Sequence, residues 1–261
     1  MILDEISAYT RLRVEKLKKQ KSLYAVRDEA ESRPQGKNFQ AALAADGLSI
    51  IAELKKASPS KGLIAPDFEQ KYLARAKSYE AGGAAAISCL TEPKFFLGSD
   101  TYLTQVRQTV ELPILRKDFT IDEYQIYEAK NIGADAVLLI CSLLSAGQLE
   151  EYLCQVRELG LSALVEAHDA DEVNMAVAAG AEIIGVNNRN LKDFSVNPLN
   201  SLRLREQIPR EKIFVAESGI TKARDTLALK AAGVQAALVG EALMRAANPA
   251  ALLREMRGEQ G

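Results

Sequence analysis

The stretch Lys130–Ile140, KNIGADAVLLI, decides the fold of this 261-residue chain. A segment of helical character ends at Gly133, and a short, almost uninterrupted apolar run follows at once. Glycine fits the position just after a helix, where a left-handed backbone conformation is needed. A short continuous apolar run is typical of a parallel strand that is buried on both faces. The stretch therefore predicts a helix that leads directly into an interior strand.

The same pattern recurs at three other places, EAGGAAAISCL, VAAGAEIIGVN and KAAGVQAALVG. Four more apolar runs, LSIIAEL, LPILRKD, SALVEAH and KIFVAES, complete a set of candidate strands centred near residues 51, 87, 115, 138, 164, 185, 214 and 238. Intervals of roughly 20 to 36 residues leave room for one crossover helix each. Eight strand and helix units predict an α/β protein with the (β/α)8 TIM barrel fold. A doubly wound sheet is the alternative, but the chain has no GxGxxG motif.

Residues 1–46 precede the first strand and predict a helical N-terminal extension of a single barrel domain that spans residues 1–261. NFQAALAADG reads as a short helix capped by Gly47. The eight units already close a barrel, so we do not expect residues 1–46 to be needed for the core.

The first part of this extension is amphipathic. Leu3, Ile6, Tyr9 and Leu17 recur near helical spacing, so this part is expected to lie against the barrel. The basic cluster RLRVEKLKKQK could be offered as a nucleic-acid patch, but glutamate interrupts it and no aromatic residue is interleaved. We interpret it as a solvated helix face.

The composition indicates a mature cytoplasmic globular protein, with 48% hydrophobic and 26% charged residues. A net charge of −2 gives no support for nucleic-acid binding, and no apolar run approaches the ~20 residues of a membrane helix. Cys89, Cys141 and Cys154 are too widely spaced for a disulfide framework or a zinc site, and His168 reads as a loop residue. We expect a monomer with no cofactor, metal, nucleic acid or membrane as a partner.

Charged residues gather where the predicted strands end. By alternation along each strand, one set of polar side chains reaches the C-terminal mouth of the barrel: Glu53, Lys55, Lys117, Glu166, Asn187, Arg189 and Glu217. The opposite strand ends, such as LSI, AAA, LPI and GVQ, carry almost no charge. A structural ion network is the alternative to an active site. The one-sided distribution favours the active site, because TIM-barrel enzymes build theirs at this end.

Two glycines mark a second element at this mouth. Gly219 follows VAES, and Gly240 follows ALV. Asn248 and Pro249 read as the N-cap and first residue of the last helix, so residues 241–246 form a short extra helix. In TIM barrels a phosphate often sits where the loops after strands 7 and 8 meet such a helix. Two ordinary tight turns are the alternative, but the combination favours a phosphorylated substrate.

The chain resembles the indole-3-glycerol phosphate synthase family over essentially its whole length. The matching stretches are AELKKASPSKG, ILRKDFTIDEYQIYEAKNIGADAVLLI, LVEAHDADEV, IGVNNRNLKDFSVN, FVAESGI and LVGEALM. The resemblance implies closure of the indole ring of 1-(2-carboxyphenylamino)-1-deoxyribulose 5-phosphate, with loss of CO2 and water. This lyase reaction, a decarboxylation, belongs to tryptophan biosynthesis.

The resemblance also implies roles for the mouth residues. Lys117 matches the family's general acid, and Lys55 a second lysine that assists ring closure or dehydration; which lysine serves which step stays open. Glu53 and Glu166 are the candidate bases. Arg189 and Asn187 would hold the substrate carboxylate, with Asn187 in the catalytic set, and Glu217 would orient the sugar hydroxyls. The remaining implied contacts are Ser58, Gly219, Gly240 and Glu241 for phosphate, and Phe96, Phe119, Leu138 and Ser218 for the rest of the substrate.

Two other functions remain open from the residues alone. A lysine beside carboxylates at a barrel strand end could form a Schiff base, as in a phosphosugar aldolase. Borohydride trapping would detect that imine. A barrel that binds a phosphate ligand without turnover is the second alternative, and it leaves the number of charges at the mouth unexplained.

Overall fold

The computed structural model describes residues 2–191 and 193–259, and within them eight parallel strands close into a barrel. In chain order the barrel strands are β1 (Ser49–Leu54), β2 (Ala86–Leu90), β3 (Ile114–Lys117), β4 (Ala136–Ile140), β5 (Ser162–Ala167), β6 (Ile183–Asn187), β7 (Ile213–Glu217) and β8 (Ala236–Val239). Each strand pairs with its neighbour in sequence, and β1 pairs with β8 to close the ring, with Ser49 opposite Ala236. The TIM barrel prediction is confirmed, and all eight expected strands are present.

The N-terminal extension forms three helices, α1 (Ile2–Gln20), α2 (Leu23–Ser32) and α3 (Phe39–Leu43). The chain breaks between α1 and α2 because the Ser22 side chain accepts a hydrogen bond from the N–H of Ala25 and starts a new helix. The expectation that Gly47 caps the short helix is wrong. α3 ends at Leu43, and Ala44 closes it with a backbone hydrogen bond to Ala41.

The remaining helices surround the barrel or follow its last strand: α4 (Phe68–Ala81), α5 (Asp100–Arg107), α6 (Glu123–Asn131), α7 (Ala146–Glu158), α8 (Ala170–Ala178), α9 (Leu199–Leu204), α10 (Ala223–Ala231), α11 (Glu241–Arg245) and α12 (Pro249–Arg257). α11 is the predicted short extra helix. α12 begins as expected, with the Asn248 side chain accepting from the N–H of Ala251 and Pro249 in the first turn.

Two side chains of α3 close the base of the barrel. Phe39 and Leu43 are fully buried, and they belong to the same apolar cluster as the inward residues of the strands. Ala86, Ala136 and Ala236 are small members of that cluster, one near the start of each of three strands. The expectation that residues 1–46 are not needed for the core is therefore wrong, because the barrel strands alone leave their interior open at this end.

α1 is attached at the other end of the barrel. Arg13 Nη2 lies 2.7 Å from Asp118 Oδ1, and Lys18 Nζ lies 2.7 Å from Asp122 Oδ2. The Tyr9 ring meets the Phe95 ring edge-on, with centroids 6.1 Å apart. The interpretation of the basic cluster as a solvated face is right for exposed Arg11 and wrong for Arg13, which forms a part-buried ion pair with the barrel.

The base of the barrel also carries a buried charge that the sequence patterns did not indicate. Asp135, just before β4, is 3% exposed and accepts hydrogen bonds from the N–H groups of Lys37 and Ile114. Arg107 forms an ion pair with it at 2.6 Å. Among the described helices, none is long and apolar enough to cross a membrane.

Candidate active site

A cavity of about 450 Å³ opens at the C-terminal ends of the strands. All fifteen residues that were predicted for the site line this cavity: Glu53, Lys55, Ser58, Phe96, Lys117, Phe119, Leu138, Glu166, Asn187, Arg189, Glu217, Ser218, Gly219, Gly240 and Glu241. The structure thus brings together side chains from β1, β3, β4, β5, β6 and β7 and from the loops beyond the strands.

Lys117, the last residue of β3, is the centre of the charged group. Its Nζ lies 2.7 Å from Glu217 Oε2 and 3.0 Å from Glu166 Oε2, so two strands on the far side of the barrel each direct a carboxylate at it. Burial opposes the charge on Lys117, but Glu166, Glu217 and Glu53 together hold its pKa above the usual range. Lys117 is therefore an ammonium group at neutral pH.

The two carboxylates that bind Lys117 differ in their surroundings. Burial alone would raise the pKa of Glu166, but Lys117 and His168 hold that pKa well below its usual range, and Asn187 adds a hydrogen bond at 3.0 Å. Burial, together with Glu166 and Glu53, raises the pKa of Glu217 to about 7 against the opposing effect of Lys117. Glu217 Oε1 is buried without a hydrogen-bond partner among the described residues. Glu166 is thus ionised, whereas Glu217 can exchange a proton near neutral pH.

Glu53 and Lys55 form a second acid–base pair beside this cluster. Lys55 Nζ lies 2.5 Å from Glu53 Oε1, and the Glu53 side chain is 3% exposed. A Cβ atom at Gly240 would lie 2.3 Å from Glu53 Oε1 and 2.9 Å from Lys55 Nζ. A side chain at position 240 would therefore displace the charged ends of this pair.

A glycine inside β6 makes room for a carboxylate in the same way. A Cβ atom at Gly185 would lie 2.2 Å from Glu217 Oε1. Sequence reasoning did not single out Gly185, although an interior strand glycine is a known sign of close approach by another group.

The end of β7 has an unusual backbone. Ser218 and Gly219 are both left-handed, with φ of 65° and 78°. The Asn188 side chain donates to the Ser218 carbonyl at 3.0 Å and holds this turn in place. Left-handed non-glycine residues cost about 1–3 kcal/mol and are concentrated at functional sites. The turn lines the cavity and forms one of its walls.

Ser58 and α11 lie at this same wall. Ser58 belongs to a short hairpin after β1, in which Ala57–Ser58 pairs with Gly62–Leu63. It is 8% exposed and its Oγ lies 3.4 Å from Ser60 Oγ. α11 begins immediately after Gly240, so its first N–H groups lie beside the cavity.

Aromatic side chains from two loops form another wall. The rings of Phe96 and Phe119 have centroids 5.9 Å apart. Fully buried Glu92 fixes the Phe96 loop, because its carboxylate accepts hydrogen bonds from the N–H groups of Lys94, Phe95 and Phe96. Leu138 of β4 adds apolar surface to the barrel interior.

Arg189 lies in the loop after β6. Its N–H donates to Asn187 Oδ1 at 3.0 Å, and its guanidinium donates to the Phe194 carbonyl at 3.1 Å. Among the described residues these bonds use one of the guanidinium N–H groups, and such a group can also donate to an anion.

Ile2, Leu3 and Ile6 of α1 line the cavity, so the N-terminal extension lies at the mouth, as the family resemblance implies. Sequence reasoning missed one contribution to this site. His168, which was interpreted as a loop residue, lies outside the cavity but contacts Glu166, with Nε2 3.3 Å from Oε1. The position of His168 two residues after Glu166, in VEAH, was the available signal. Within the described ranges no group of three or more His, Cys, Asp or Glu side chains is placed to hold a metal ion.

Comparison with known sequences gives one family. The profile of the indole-3-glycerol phosphate synthase family matches residues 3–256. The indole-3-glycerol phosphate synthase of Ruminiclostridium cellulolyticum is 56% identical over 261 residues, which cover 99% of each chain. That of Endomicrobium trichonymphae is 54% identical over 259 residues, covering 98% of this chain and 100% of its own.

Solved structures with the same architecture are more distant in sequence. A 3-hexulose-6-phosphate synthase from Salmonella typhimurium superposes with a TM-score of 0.66 at 15% identity, covering 81% of this chain and 97% of its own. A thiamine phosphate pyrophosphorylase from Pyrococcus furiosus gives 0.59 at 20% identity, covering 85% and 96%. At these identities the likeness concerns the fold alone.

Proposed function

The chain belongs to the indole-3-glycerol phosphate synthase family, and we propose that the residues at the mouth of its barrel divide that family's reaction among two acid–base groups and a phosphate site. The reaction closes the indole ring of 1-(2-carboxyphenylamino)-1-deoxyribulose 5-phosphate with loss of CO2 and water, a step of tryptophan biosynthesis. The observation that carries the proposal is the position of the Lys117 ammonium, which lies in the cavity between two carboxylates.

Lys117 acts as the acid for ring closure. As the ring carbon that bears the carboxylate attacks the ketone, the ketone oxygen becomes negative and takes a proton. An ammonium group fixed by Glu166 and Glu217 needs little reorganisation to stabilise that oxygen, and preorganised charge of this kind is commonly the largest part of an enzyme's effect. Departure of CO2 then leaves its bonding electrons to the ring, which becomes aromatic again.

The Glu53–Lys55 pair serves the dehydration. The departing hydroxyl takes a proton and leaves as water, while a base removes a proton from the remaining aminomethylene unit. Glu53 is the more suitable base of the two candidates, because Glu166 is held ionised by Lys117, His168 and Asn187 and binds a proton weakly. Lys55 at 2.5 Å from Glu53 can supply the proton for the hydroxyl.

Arg189 and Asn187 hold the substrate carboxylate until it leaves, because guanidinium and amide N–H groups match its two oxygens. Glu217 orients the sugar hydroxyls, since its side chain lines the cavity. Phe96, Phe119 and Leu138 enclose the aromatic ring, and Ser218 contacts the chain that leads to the phosphate. α1 covers the ring through Ile2, Leu3 and Ile6 and excludes water.

The phosphate binds at the wall formed by Ser58, Gly219, Gly240 and Glu241. The hydroxyl of Ser58 and the backbone N–H groups around Gly219 and at the start of α11 are donors that suit a phosphate dianion. In this arrangement the phosphate anchors one end of the substrate while Arg189 anchors the other.

The different roles proposed for the two candidate bases, Glu53 and Glu166, can be tested with the variants Glu53→Gln and Glu166→Gln. Formation of indole product is followed by fluorescence under single-turnover conditions, and release of CO2 is measured in parallel. Glu53→Gln is expected to release CO2 and then stall before dehydration, whereas Glu166→Gln is expected to slow CO2 release itself. The assignment fails if Glu53→Gln slows both events equally. Borohydride treatment with substrate should trap no imine.

The phosphate site can be tested by competition. Inorganic phosphate is expected to raise KM without changing kcat, and Ser58→Ala is expected to raise KM about tenfold, as loss of a hydrogen bond to a charged group costs roughly 1.5 kcal/mol. Ser60→Ala removes the same hydroxyl two residues away and should change KM less than twofold. Equal effects of the two substitutions would show that the phosphate does not rest on Ser58.

The proposal extends to a monomer that works in the cytoplasm. The large apolar side chains exposed on the described surface, such as Leu12, Tyr24, Leu199 and Leu227, are separate from one another in sequence and belong to different helices. Each such residue alone is ordinary for a soluble surface. Light scattering at micromolar concentration should give the mass of one chain.

A further inference from the structure

The chain has one histidine, and the structure holds it between two carboxylates at the edge of the active site. His168 directly follows β5. Its ring Nε2 lies 3.3 Å from Glu166 Oε1, and its Nδ1 lies 3.0 Å from Glu172 Oε2, in the first turn of α8. With a carboxylate facing each ring nitrogen, both nitrogens carry protons and the ring is an imidazolium.

The backbone of His168 is fixed as firmly as its ring. Its N–H donates to Glu172 Oε2 at 2.8 Å, and the Asn200 side chain, from α9, donates to its carbonyl at 3.0 Å. The ring therefore has a defined position relative to Glu166. The contact at Nε2 is an ion pair rather than an aligned hydrogen bond, since this atom has no hydrogen-bond partner among the described residues.

Glu166 is consequently held from three directions. Lys117 binds its Oε2, and Asn187 and His168 approach its Oε1. We propose that His168 is a positioning residue, which holds the Glu166 carboxylate ionised and directed at Lys117 during ring closure. This inference rests on the proposed function, in which Glu166 orients the acid Lys117.

A purely structural role for the ring accounts for less of the geometry. The start of α8 is already capped by Asp169, whose Oδ1 accepts from the N–H of Glu172 at 3.0 Å. The ring is therefore not needed to satisfy the first turn of the helix. What it adds is a positive charge next to a buried carboxylate that belongs to the catalytic cluster.

A proton relay from Glu172 through His168 to Glu166 is also disfavoured. Burial opposes the charge on His168, but Glu166 and Glu172 raise its pKa to about 10, while the pKa of Glu166 is held below its usual range. Transfer of a proton from the ring to Glu166 is therefore strongly uphill. Among the described residues the charged groups that contact the ring are these two glutamates, from β5 and α8, and Asn200 of α9 adds a neutral contact at the backbone carbonyl.

The test compares four variants: His168→Phe, His168→Gln, Glu166→Gln and Asp171→Asn. Asp171 is exposed in the same turn of α8 as Glu172, so Asp171→Asn is the matched loss of a nearby charge. His168→Phe is expected to lower kcat at least about tenfold, as loss of correct orientation commonly does, with KM within about threefold. Its acid limb in the kcat–pH profile should move to higher pH, because Glu166 binds a proton more easily without the imidazolium.

His168→Gln, which keeps a donor but not the charge, should recover part of kcat while its acid limb still moves. Asp171→Asn should change neither kcat nor the position of the acid limb. The inference is overturned if Glu166→Gln is inactive while His168→Phe keeps kcat within twofold of wild type with an unmoved acid limb. If Glu166→Gln remains active, the assignment of Glu166 itself fails. If His168→Phe does not fold by circular dichroism, the acid limb of His168→Gln decides the question.

Discussion

Arg116 and Lys117 are consecutive residues of β3, and they place two buried cations on opposite faces of one strand. Arg116 points away from the barrel axis towards the helices, and its side chain is 2% exposed. Its guanidinium donates four hydrogen bonds to described residues: Nε to Thr91 Oγ1 at 3.1 Å, Nη1 to the Gln125 carbonyl at 3.0 Å, and Nη2 to Asp100 Oδ1 at 3.0 Å and Glu128 Oε2 at 2.7 Å. Its guanidinium has little left to offer to a ligand.

Lys117 points into the barrel and is less completely used. Two carboxylate oxygens, one from Glu166 and one from Glu217, take two of its three N–H groups, and the cavity lies beside it. Glu217 Oε1 is buried with no described hydrogen-bond partner. The ammonium therefore keeps one N–H group that no described residue accepts, and this group lies beside the cavity.

The difference between Arg116 and Lys117 shows how a structural ion network can be distinguished from a catalytic one. The planar fork of Arg116 is suited to several fixed partners at once, whereas an ammonium on a flexible stem is suited to proton transfer. Both groups are buried and charged, so burial and charge alone do not distinguish them. An N–H group that is left unused beside a cavity does.

The largest expected effect comes from Lys117→Met, which removes the proposed acid. Turnover should fall by at least about 10³-fold, equal to about 4 kcal/mol of barrier, because the lost charge acts on the oxygen of the transition state. Affinity for inorganic phosphate should stay near wild type. Lys56→Met is the control, because Lys56 is paired with Glu69 outside the cavity. A rate within tenfold of wild type would exclude Lys117 as the acid.

Arg116→Met tests the other face of the strand and should act on stability. It leaves Asp100, Glu128 and Asp118 with reduced compensation in a buried region, which commonly costs about 3 kcal/mol of unfolding free energy. Urea unfolding measures this change, and kcat of the folded protein should change little. A folded, stable Arg116→Met protein with lost turnover would show that the two faces are not separate in function.

Arg13→Met should have an intermediate effect, and it should change both substrate binding and stability. Arg13 of α1 binds Asp118, which follows Lys117 and lies 3.7 Å from Arg116. Loosening α1 should raise KM several-fold and lower stability by roughly 1–2 kcal/mol, as loss of a charged hydrogen bond does. The exposed Arg11 in the same helix provides the control Arg11→Met, which should leave both values unchanged. Equal KM values for the two variants would separate α1 from substrate binding.

The smallest expected effect is a pH dependence that comes from Glu217 on the inner face. The pKa of Glu217 is raised to about 7, so the folded state favours its protonated form. This contribution to stability is complete below about pH 4.5 and is lost as pH rises through about 7. Between pH 6 and 8 wild type should therefore lose about 1.3 kcal/mol of unfolding free energy relative to Glu217→Gln in urea unfolding. Parallel curves for the two proteins would mean that Glu217 titrates normally.

Much of the site could be predicted because strand alternation is a local rule. Once Glu53, Lys117, Glu166 and Glu217 were placed near the ends of interior strands, their side chains could only converge at one end of the barrel. The same rule places Arg116 on the opposite face, yet it says nothing about what Arg116 meets there.

The predictions for residues 1–46 and for His168 failed for a different reason. Phe39 and Leu43 close the base of the barrel because small alanines from three strands leave space for them, and no local pattern reveals a space made by distant residues. His168 was passed over for a similar reason. Its importance lies in the carboxylates on either side, and one of these, Glu172, belongs to a helix whose docking only the fold determines.

The sequence by itself determined the strand and helix order, the barrel, the end at which the charges converge and, through its motifs, the family. These depend on periodicity and on short motifs, which are complete within a few neighbouring residues. Only the tertiary structure decided that Arg116 uses nearly all of its N–H groups in fixed contacts, whereas Lys117 keeps one beside the cavity. It also decided how α1 and α3 cover the two ends of the barrel, and that side chains at Gly185 and Gly240 would displace the carboxylates of Glu217 and Glu53. Those features depend on distances between atoms far apart in the chain, and such distances exist only once the chain has folded.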